Sequence, residues 1–238
     1  MSAPESSAAG HVRLTGSLLG RPERAFVRWF CARVSDRVTP DHLTAIGMVG
    51  SLMVFAGYVL SHRAPAFLWL ASLGLLVNWF GDTTDGNLAR YRHTERPRYG
   101  FFLDHAMDSL SMLLVFLGLG LSPYLRLDIA LLGLVAYLLM SIFVYLDTIV
   151  NKTFQIAFGR FGPTEGRAAI VLVNVLMGAI GRPRWTTPWG AVYLYDLVVG
   201  VGAAALFTTF LLMVAGRLRR LALVDPPGGA ARPRPEDG

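Results

Sequence analysis

Charge is scarce in this chain, and so is sulfur that could cross-link it. Of its 238 residues, only 16% are Asp, Glu, Lys or Arg and 53% are hydrophobic, whereas an ordinary soluble domain carries about 25% charged residues. With a mean hydropathy of +0.47, the chain reads as a protein solvated by lipid. The single cysteine, Cys31, excludes an intramolecular disulfide and any multi-cysteine metal site. Outside the amphipathic residues 21–38 there is no basic stripe interleaved with aromatics. The net charge of +6 and pI near 9.9 therefore do not point to nucleic acid. The basic residues flank apolar runs, which suits anionic headgroups or phosphorylated substrates. The first twenty residues are rich in Ser, Ala and Gly and show no contiguous apolar core followed by a cleavage site. The first spanning helix is accordingly expected to serve as an uncleaved insertion signal. Neither an internal repeat nor a second domain is visible.

What is present is a succession of apolar segments. Residues 21–38 alternate Arg24, Arg28 and Arg33 with Phe26, Val27, Trp29, Phe30 and Val34, the pattern of an amphipathic helix at a membrane interface or on a protein surface. Thr39, Pro40 and Asp41 break that pattern and supply capping residues for the next helix. Six segments near the length of about 20 residues needed to cross a bilayer follow, at 42–61, 66–91, 98–121, 127–150, 164–181 and 189–216. The fold expected is all-α and integral to the membrane, with six transmembrane helices preceded by an amphipathic interfacial helix. The expected organisation is a flexible N-terminus over 1–20, a juxtamembrane helix over 21–38, the six-helix unit over 39–220 and a disordered tail over 221–238.

Six spans put both termini on one side, and basic residues decide which side that is. Eighteen of the 22 Lys and Arg fall on the side of the termini, leaving only Arg63, Arg126, Arg182 and Arg184 opposite. Positive charge stays in the cytoplasm, so both termini and the connections around Arg96 and Arg160 are expected there.

The chemistry concentrates between Gly81 and Asp108. Asp82 and Asp85 are three residues apart, and Asp104 and Asp108 are four apart, so each pair projects from one helix face. A short antiparallel connection brings these faces together. Four carboxylates at one membrane depth repel one another unless cations are present, and oxygen-only ligands select hard divalent ions, Mg²⁺ or Mn²⁺ over zinc. Two such ions would neutralise the four charges. Gly86 and Ala89 leave room for a ligand beside them, and Arg90 supplies a fixed cation suited to a phosphate. The competing reading is that these aspartates pair with nearby arginines at the membrane surface, which leaves the charge count uncompensated within the helices.

The same residues resemble the signature of the CDP-alcohol phosphotransferase family, D-x-x-D-G-x-x-A-R, a spacer, then G-x-x-x-D-x-x-x-D. Asp82, Asp85, Gly86, Ala89, Arg90, Gly100, Asp104 and Asp108 occupy every specified position. The spacer from Tyr91 to Tyr99 is slightly longer than the family pattern. The resemblance implies a six-helix enzyme, usually a homodimer, that binds a CDP-alcohol and two divalent ions at the cytoplasmic face. In such an enzyme an acceptor hydroxyl attacks the phosphorus attached to the alcohol and CMP leaves. By motif position, Asp82, Asp85 and Asp104 would be metal ligands, and Asp108 a ligand and candidate general base. The nucleotide and diphosphate would lie against Asp82, Asp85, Gly86, Ala89, Arg90 and Gly100. His105, between the last two aspartates, is similar to a histidine of choline and ethanolamine phosphotransferases that is a candidate base. A histidine bonded to a neighbouring helix or a headgroup fits this position as well.

Lys152, Glu165 and Arg167 lie in the fourth-to-fifth connection, on the side of the carboxylates. Lys152 and Arg167 are candidates to hold a phosphate on the acceptor, or they are simply cytoplasmic loop cations. Glu165 would repel such a phosphate and suits a hydroxyl or an amine. Asn78, Asp147 and Asp196 are further polar residues within apolar spans; an arginine partner is expected for Asp147 and the company of Arg182 and Arg184 for Asp196. The function expected is transfer of a phosphatidyl group from CDP-diacylglycerol to a small alcohol in phospholipid synthesis. The alternative is a CDP-aminoalcohol donor with a diacylglycerol acceptor. A prenyltransferase is disfavoured because Gly81, rather than Asn, precedes the first aspartate, and a cation-coupled transporter because no paired repeat is visible.

Overall fold

The computed structural model describes residues 20–151, 163–187 and 190–225. Its elements in chain order are a short helix α1 (Gly20–Cys31), four long helices α2 (Pro40–Leu60), α3 (Phe67–Tyr91), α4 (Pro97–Gly120) and α5 (Leu127–Asn151), then α6 (Pro163–Ile180), a two-stranded hairpin β1 (Arg184–Thr187) and β2 (Gly190–Tyr193), and α7 (Leu194–Val224). Five of the six expected apolar segments coincide with helices to within two residues at either end. Four helices, α2, α4, α5 and α7, are long and apolar enough to cross a membrane. The two long helices outside that set are α3 and α6, and α3 carries Asn78 at its middle and Asp82, Asp85 and Arg90 in its second half. Leu76, Leu132, Val201 and Leu212 stand exposed on the outer faces, a surface that water would penalise and lipid does not. The chain is a membrane protein.

The sixth segment departs from expectation. The sequence reading starts a helix at residue 189, whereas Gly190–Tyr193 forms a strand and the helix begins at Leu194. Gly181 ends α6 with a left-handed φ of 67°, its N–H donating to the Met177 carbonyl at 3.0 Å, the usual glycine termination. Beyond it, Trp185, Thr186, Val192 and Tyr193 are aromatic or β-branched and pair in an antiparallel ladder. At the other end α7 runs to Val224, past the boundary expected at 220. The remaining tail, and the flexible N-terminus expected over 1–20 apart from Gly20, lie outside the described residues.

Thr39 and His42 close the reciprocal cap that starts α2. The Thr39 hydroxyl accepts from the His42 N–H and the His42 Nδ1 accepts from the Thr39 N–H, both at 3.2 Å, and Pro40 takes the first turn, where its missing N–H costs nothing. From there α2 packs on α3 with the two backbones in direct contact. A Cβ on Gly81 would stand 2.4 Å from the Gly47 nitrogen, and one on Gly50 2.3 Å from the Asn78 nitrogen. No side chain larger than hydrogen fits at either crossing, which fixes the depth at which α3 presents the residues on either side of Gly81.

Around this pair, α6 is tied in by buried amide chemistry. Tyr58 donates to Asn174 Oδ1 at 2.8 Å and Asn174 Nδ2 donates to Ser72 Oγ at 3.1 Å, so a buried polar chain joins α2, α6 and α3 with its groups satisfied. The inner face of α1 packs Val27 and Cys31 against Leu43 and Leu88, and Phe26 stacks on Trp79 with ring centroids 5.7 Å apart. Arg92, just past the end of α3, donates to the carbonyls of Val34, Ser35 and Val38 and so fastens the α1 to α2 turn to the motif helix.

Candidate active site

Asp82 and Asp85 sit in the last three turns of α3, and Asp104 and Asp108 in the first half of α4. The turn between these helices closes with the Arg92 N–H on the Leu88 carbonyl and the Thr94 N–H on the Ala89 carbonyl, both at 3.0 Å, and with His93 at φ 55°. After that reversal α4 packs against α2 and α5. One carboxylate oxygen from each of Asp82, Asp104 and Asp108 then falls within 4.8 Å of the other two. Three half-buried anions so close repel strongly in a medium poorer than water, and such a group is stable only with positive charge among the oxygens. Oxygen donors alone fit a hard divalent cation, so the residues present suit the metal that the motif implies.

Asp85 is directed elsewhere. It is 9% exposed, and it accepts from the Thr44 hydroxyl of α2 at 2.7 Å and from the Gly86 N–H. A residue three positions from Asp82 lies about 60° round the helix, and the close α2 backbone places Thr44 there. The expected four-carboxylate face is thus a gathered trio with a fourth carboxylate bonded to α2.

Positive charge comes from α6. Arg167 Nη2 donates to Asp82 Oδ2 at 2.7 Å and Nε donates to Asn78 Oδ1 at 3.0 Å. Its side chain is 11% exposed and that of Asp82 27% exposed, so solvent screens the pair poorly. From sequence Asn78 is a polar residue within an apolar span, with no role attached. The signal it offered was an amide one helical turn before Asp82 in an otherwise apolar run. Thr44 gave no comparable signal, because a threonine near a helix start reads as ordinary capping.

The other predicted residues are dispersed around this centre. Arg90 Nη2 donates to Asn87 Oδ1 at 3.1 Å, and a Cβ on Gly86 would lie 3.6 Å from Arg90 Nη1, so the guanidinium folds back over the glycine. Ala89 is half-buried beside it. Gly100 is exposed on the first turn of α4, with nothing within 4 Å of a Cβ built there. His105 is outside the carboxylate trio. Its Nδ1 lies 2.6 Å from the Phe101 carbonyl, which requires the proton on Nδ1 and leaves Nε2 as the basic nitrogen of the neutral ring. The same ring sits 4.2 Å from Phe101 and meets Tyr145 of α5 edge-on at 4.6 Å. Glu165 is half-buried in the first turn of α6, two residues before Arg167. Lys152 lies outside the described residues. Asp147 pairs with Arg217 through Oδ1 to Nε at 2.5 Å and Oδ2 to Nη2 at 2.6 Å, joining α5 to α7, and Asp196 pairs with Arg182 at 3.0 Å, joining the start of α7 to the connection that follows α6.

The chain is similar to known proteins over most of its length. Residues 37–215 match the family model for CDP-alcohol phosphatidyltransferase. The chain is 28% identical over 203 residues to cholinephosphotransferase 1 of Bos taurus, covering 81% of this chain and 49% of that protein. It is 29% identical over 215 residues to cholinephosphotransferase 1 of Rattus norvegicus, covering 85% and 52%. A match of 32% over 104 residues, 44% of this chain and 52% of the other, is to archaetidylinositol phosphate synthase of Pyrococcus horikoshii. The chain spans about half the length of the curated relatives it matches. The family match takes in all four motif aspartates, the turn between their helices and Arg167, and on that ground the chain belongs to the CDP-alcohol phosphatidyltransferase family.

Proposed function

We propose that the chain is a membrane transferase of phospholipid synthesis that moves a phosphatidyl group from CDP-diacylglycerol to an acceptor alcohol and releases CMP. The observation that carries this is the convergence of Asp82, Asp104 and Asp108 within 4.8 Å, beside Arg167, in a chain of this family. Asp82, Asp104 and Asp108 would hold divalent cation, Mg²⁺ or Mn²⁺, with Asp85 joining them for a second ion once it exchanges its Thr44 bond. Bound there, the metal supplies charge that stabilises the phosphoryl group under attack and the departing CMP oxygen.

The protein's own groups do the rest. Asp108 accepts the acceptor's hydroxyl proton. Arg90, folded over Gly86 and flanked by Ala89, lines the diphosphate with Gly100 at the rim. Arg167 binds anionic charge on the acceptor side, Glu165 bonds an acceptor hydroxyl or amine, and Lys152 serves as a further cation there. Around this centre the chain forms a six-helix unit over 39–220, in which α3 and α6 cross the membrane with the other four long helices. The exposed Trp29, with Arg33 5.1 Å over its ring, suits α1 to the interface. The excess of arginine on the side of the termini supports a cytoplasmic active site and cytoplasmic termini. A homodimer is the working assembly that the family resemblance implies.

The second reading, a CDP-aminoalcohol donor with a diacylglycerol acceptor, is favoured by His105 and by the relatives' being cholinephosphotransferases. One assay separates the two. Purified protein is given Mg²⁺ and either CDP-diacylglycerol with inositol phosphate, glycerol phosphate, serine, inositol, choline or ethanolamine, or CDP-choline or CDP-ethanolamine with diacylglycerol. The expected result is CMP and a new phospholipid from CDP-diacylglycerol with one acceptor. CMP release that requires free diacylglycerol would establish the second reading instead.

A further inference from the structure

We propose that Asn78 is a positioning residue: its amide aims the guanidinium of Arg167 at Asp82 and thereby sets the charge that the aspartate trio offers to a cation. The inference rests on the reading of the trio as a metal site and names a residue that the motif does not contain.

Every part of the Asn78 amide is engaged. Nδ2 donates to the Gly47 carbonyl at 3.2 Å and to Ser51 Oγ at 3.0 Å, while Oδ1 accepts from Arg167 Nε at 3.0 Å. These partners fix which way round the amide sits. Reversed, it would set its oxygen against a carbonyl and its NH₂ against a guanidinium that has only donors. Ser51 directs its own proton to Ser111 Oγ at 2.8 Å, which leaves its lone pairs for Asn78. Ser51, Ser111 and Asn78 are all buried, so water competes for none of these bonds. The result is a polar rail across α2, α3 and α4 that ends on a cation from α6.

The geometry of the guanidinium gives the rail its purpose. Nε is held by Asn78 and Nη2 by Asp82, 2.7 Å from Oδ2, and these two residues stand one turn apart on the same face of α3. A planar fork gripped at two points cannot rotate about its long axis, whereas a fork held by Asp82 alone would be free to swing. With both grips, Arg167 places a fixed positive charge on the carboxylate of Asp82, a member of the trio, and a metal ion must enter against that charge. Burying an amide costs free energy that an apolar residue in its place would avoid, and within a run of leucines the aim of Arg167 is what the amide supplies.

The test is a double-mutant cycle on the full chain in detergent, titrated with Mn²⁺ and read by electron paramagnetic resonance, with thermal melting of the metal-free protein measured alongside. Arg167→Ala should tighten Mn²⁺ binding about tenfold by removing the like charge, and Asn78→Ala should tighten it about threefold by releasing that charge. In the Arg167→Ala background, Asn78→Ala should change Mn²⁺ affinity no further. An equal effect in both backgrounds, or none in the wild-type background, would overturn the assignment. If Asn78→Ala does not fold, Ser51→Ala weakens the same amide from behind and should shift affinity in the same direction by about twofold; no shift there overturns it too. A wild-type chain that takes up no Mn²⁺ defeats the metal reading itself, which separates that failure from an uncoupled Asn78.

Discussion

Arg167 Nη2 lies 2.7 Å from Asp82 Oδ2, so a cation of α6 is placed inside the acidic motif of α3. The two residues are 85 positions apart in the chain. Their contact sets a guanidinium on Asp82, the member of the trio that α3 contributes beside Asp104 and Asp108 of α4.

Replacing Asp104 or Asp108 with Asn should abolish CMP release, a loss of about a hundredfold or more, while leaving the melting temperature equal or higher. The sign follows from repulsion, because each substitution removes one negative charge from a trio crowded within 4.8 Å. Parallel assays of CMP and of thermal melting check both halves. A large fall in melting temperature would mean that the aspartates are structural ion-pair partners.

His105 should matter less than Asp108. Its Nδ1 proton is committed to the Phe101 carbonyl and its ring is held against Phe101 and Tyr145. We expect His105→Ala to lower kcat by about tenfold, below the range of about 10² to 10⁴ for loss of a general base. A loss as deep as that of Asp108→Asn would transfer the base role to the histidine.

Thr44→Val removes the hydroxyl that Asp85 accepts from at 2.7 Å. A hydrogen bond to a charged group is worth about 1.5 to 3 kcal/mol, and chemical denaturation in detergent should show a loss of that size in metal-free protein. Saturating Mn²⁺ should recover part of it if Asp85 turns to the metal when its hydroxyl partner is gone.

Glycine substitutions should sort by position. Gly81→Ala drives a methyl to 2.4 Å from the Gly47 nitrogen, and backbone cannot move aside as a flexible side chain can, so a destabilisation of about 3 kcal/mol is expected. Gly100→Ala meets nothing within 4 Å and should fold normally. Any loss of CMP release in Gly100→Ala therefore measures crowding of the bound donor.

Cys31 should resist maleimide in the folded protein and react on denaturation. It is 4% exposed, and burial raises its pKa despite the lowering influence of Arg92 and Arg90. Because the thiolate is the reactive form, any residual labelling should accelerate as pH rises. Fast labelling of native protein at neutral pH would show that α1 is not seated on α2 and α3.

The long helices and the motif aspartates were legible because their signals are local: an apolar run of sufficient length, and carboxylates at helical spacing. The second hairpin strand, Gly190–Tyr193, was hidden because Ala191, Val192 and Tyr193 run apolar straight into α7, so a hydropathy count merges them with that helix. The diversion of Asp85 to Thr44 depends on how near α2 approaches, and Gly47 and Gly50 encode that distance only together with Gly81 and Asn78 on the partner helix. Asn78 was visible as an anomaly. Its purpose required knowing that Arg167 arrives beside it from the other end of the chain.

The backbone contact of α2 with α3 also has a mechanical reading. Interdigitated side chains yield by changing rotamer, but a carbonyl seated against a glycine has nothing to rearrange, so at Gly81 and Gly50 the two helices resist twisting and sliding as one beam. On the proposed function, the donor's diphosphate would be gripped by a part of the protein that keeps its shape through turnover. Whatever movement admits lipid and discharges product then falls to the helices that meet that beam through side chains, with α6 and its arginine first among them.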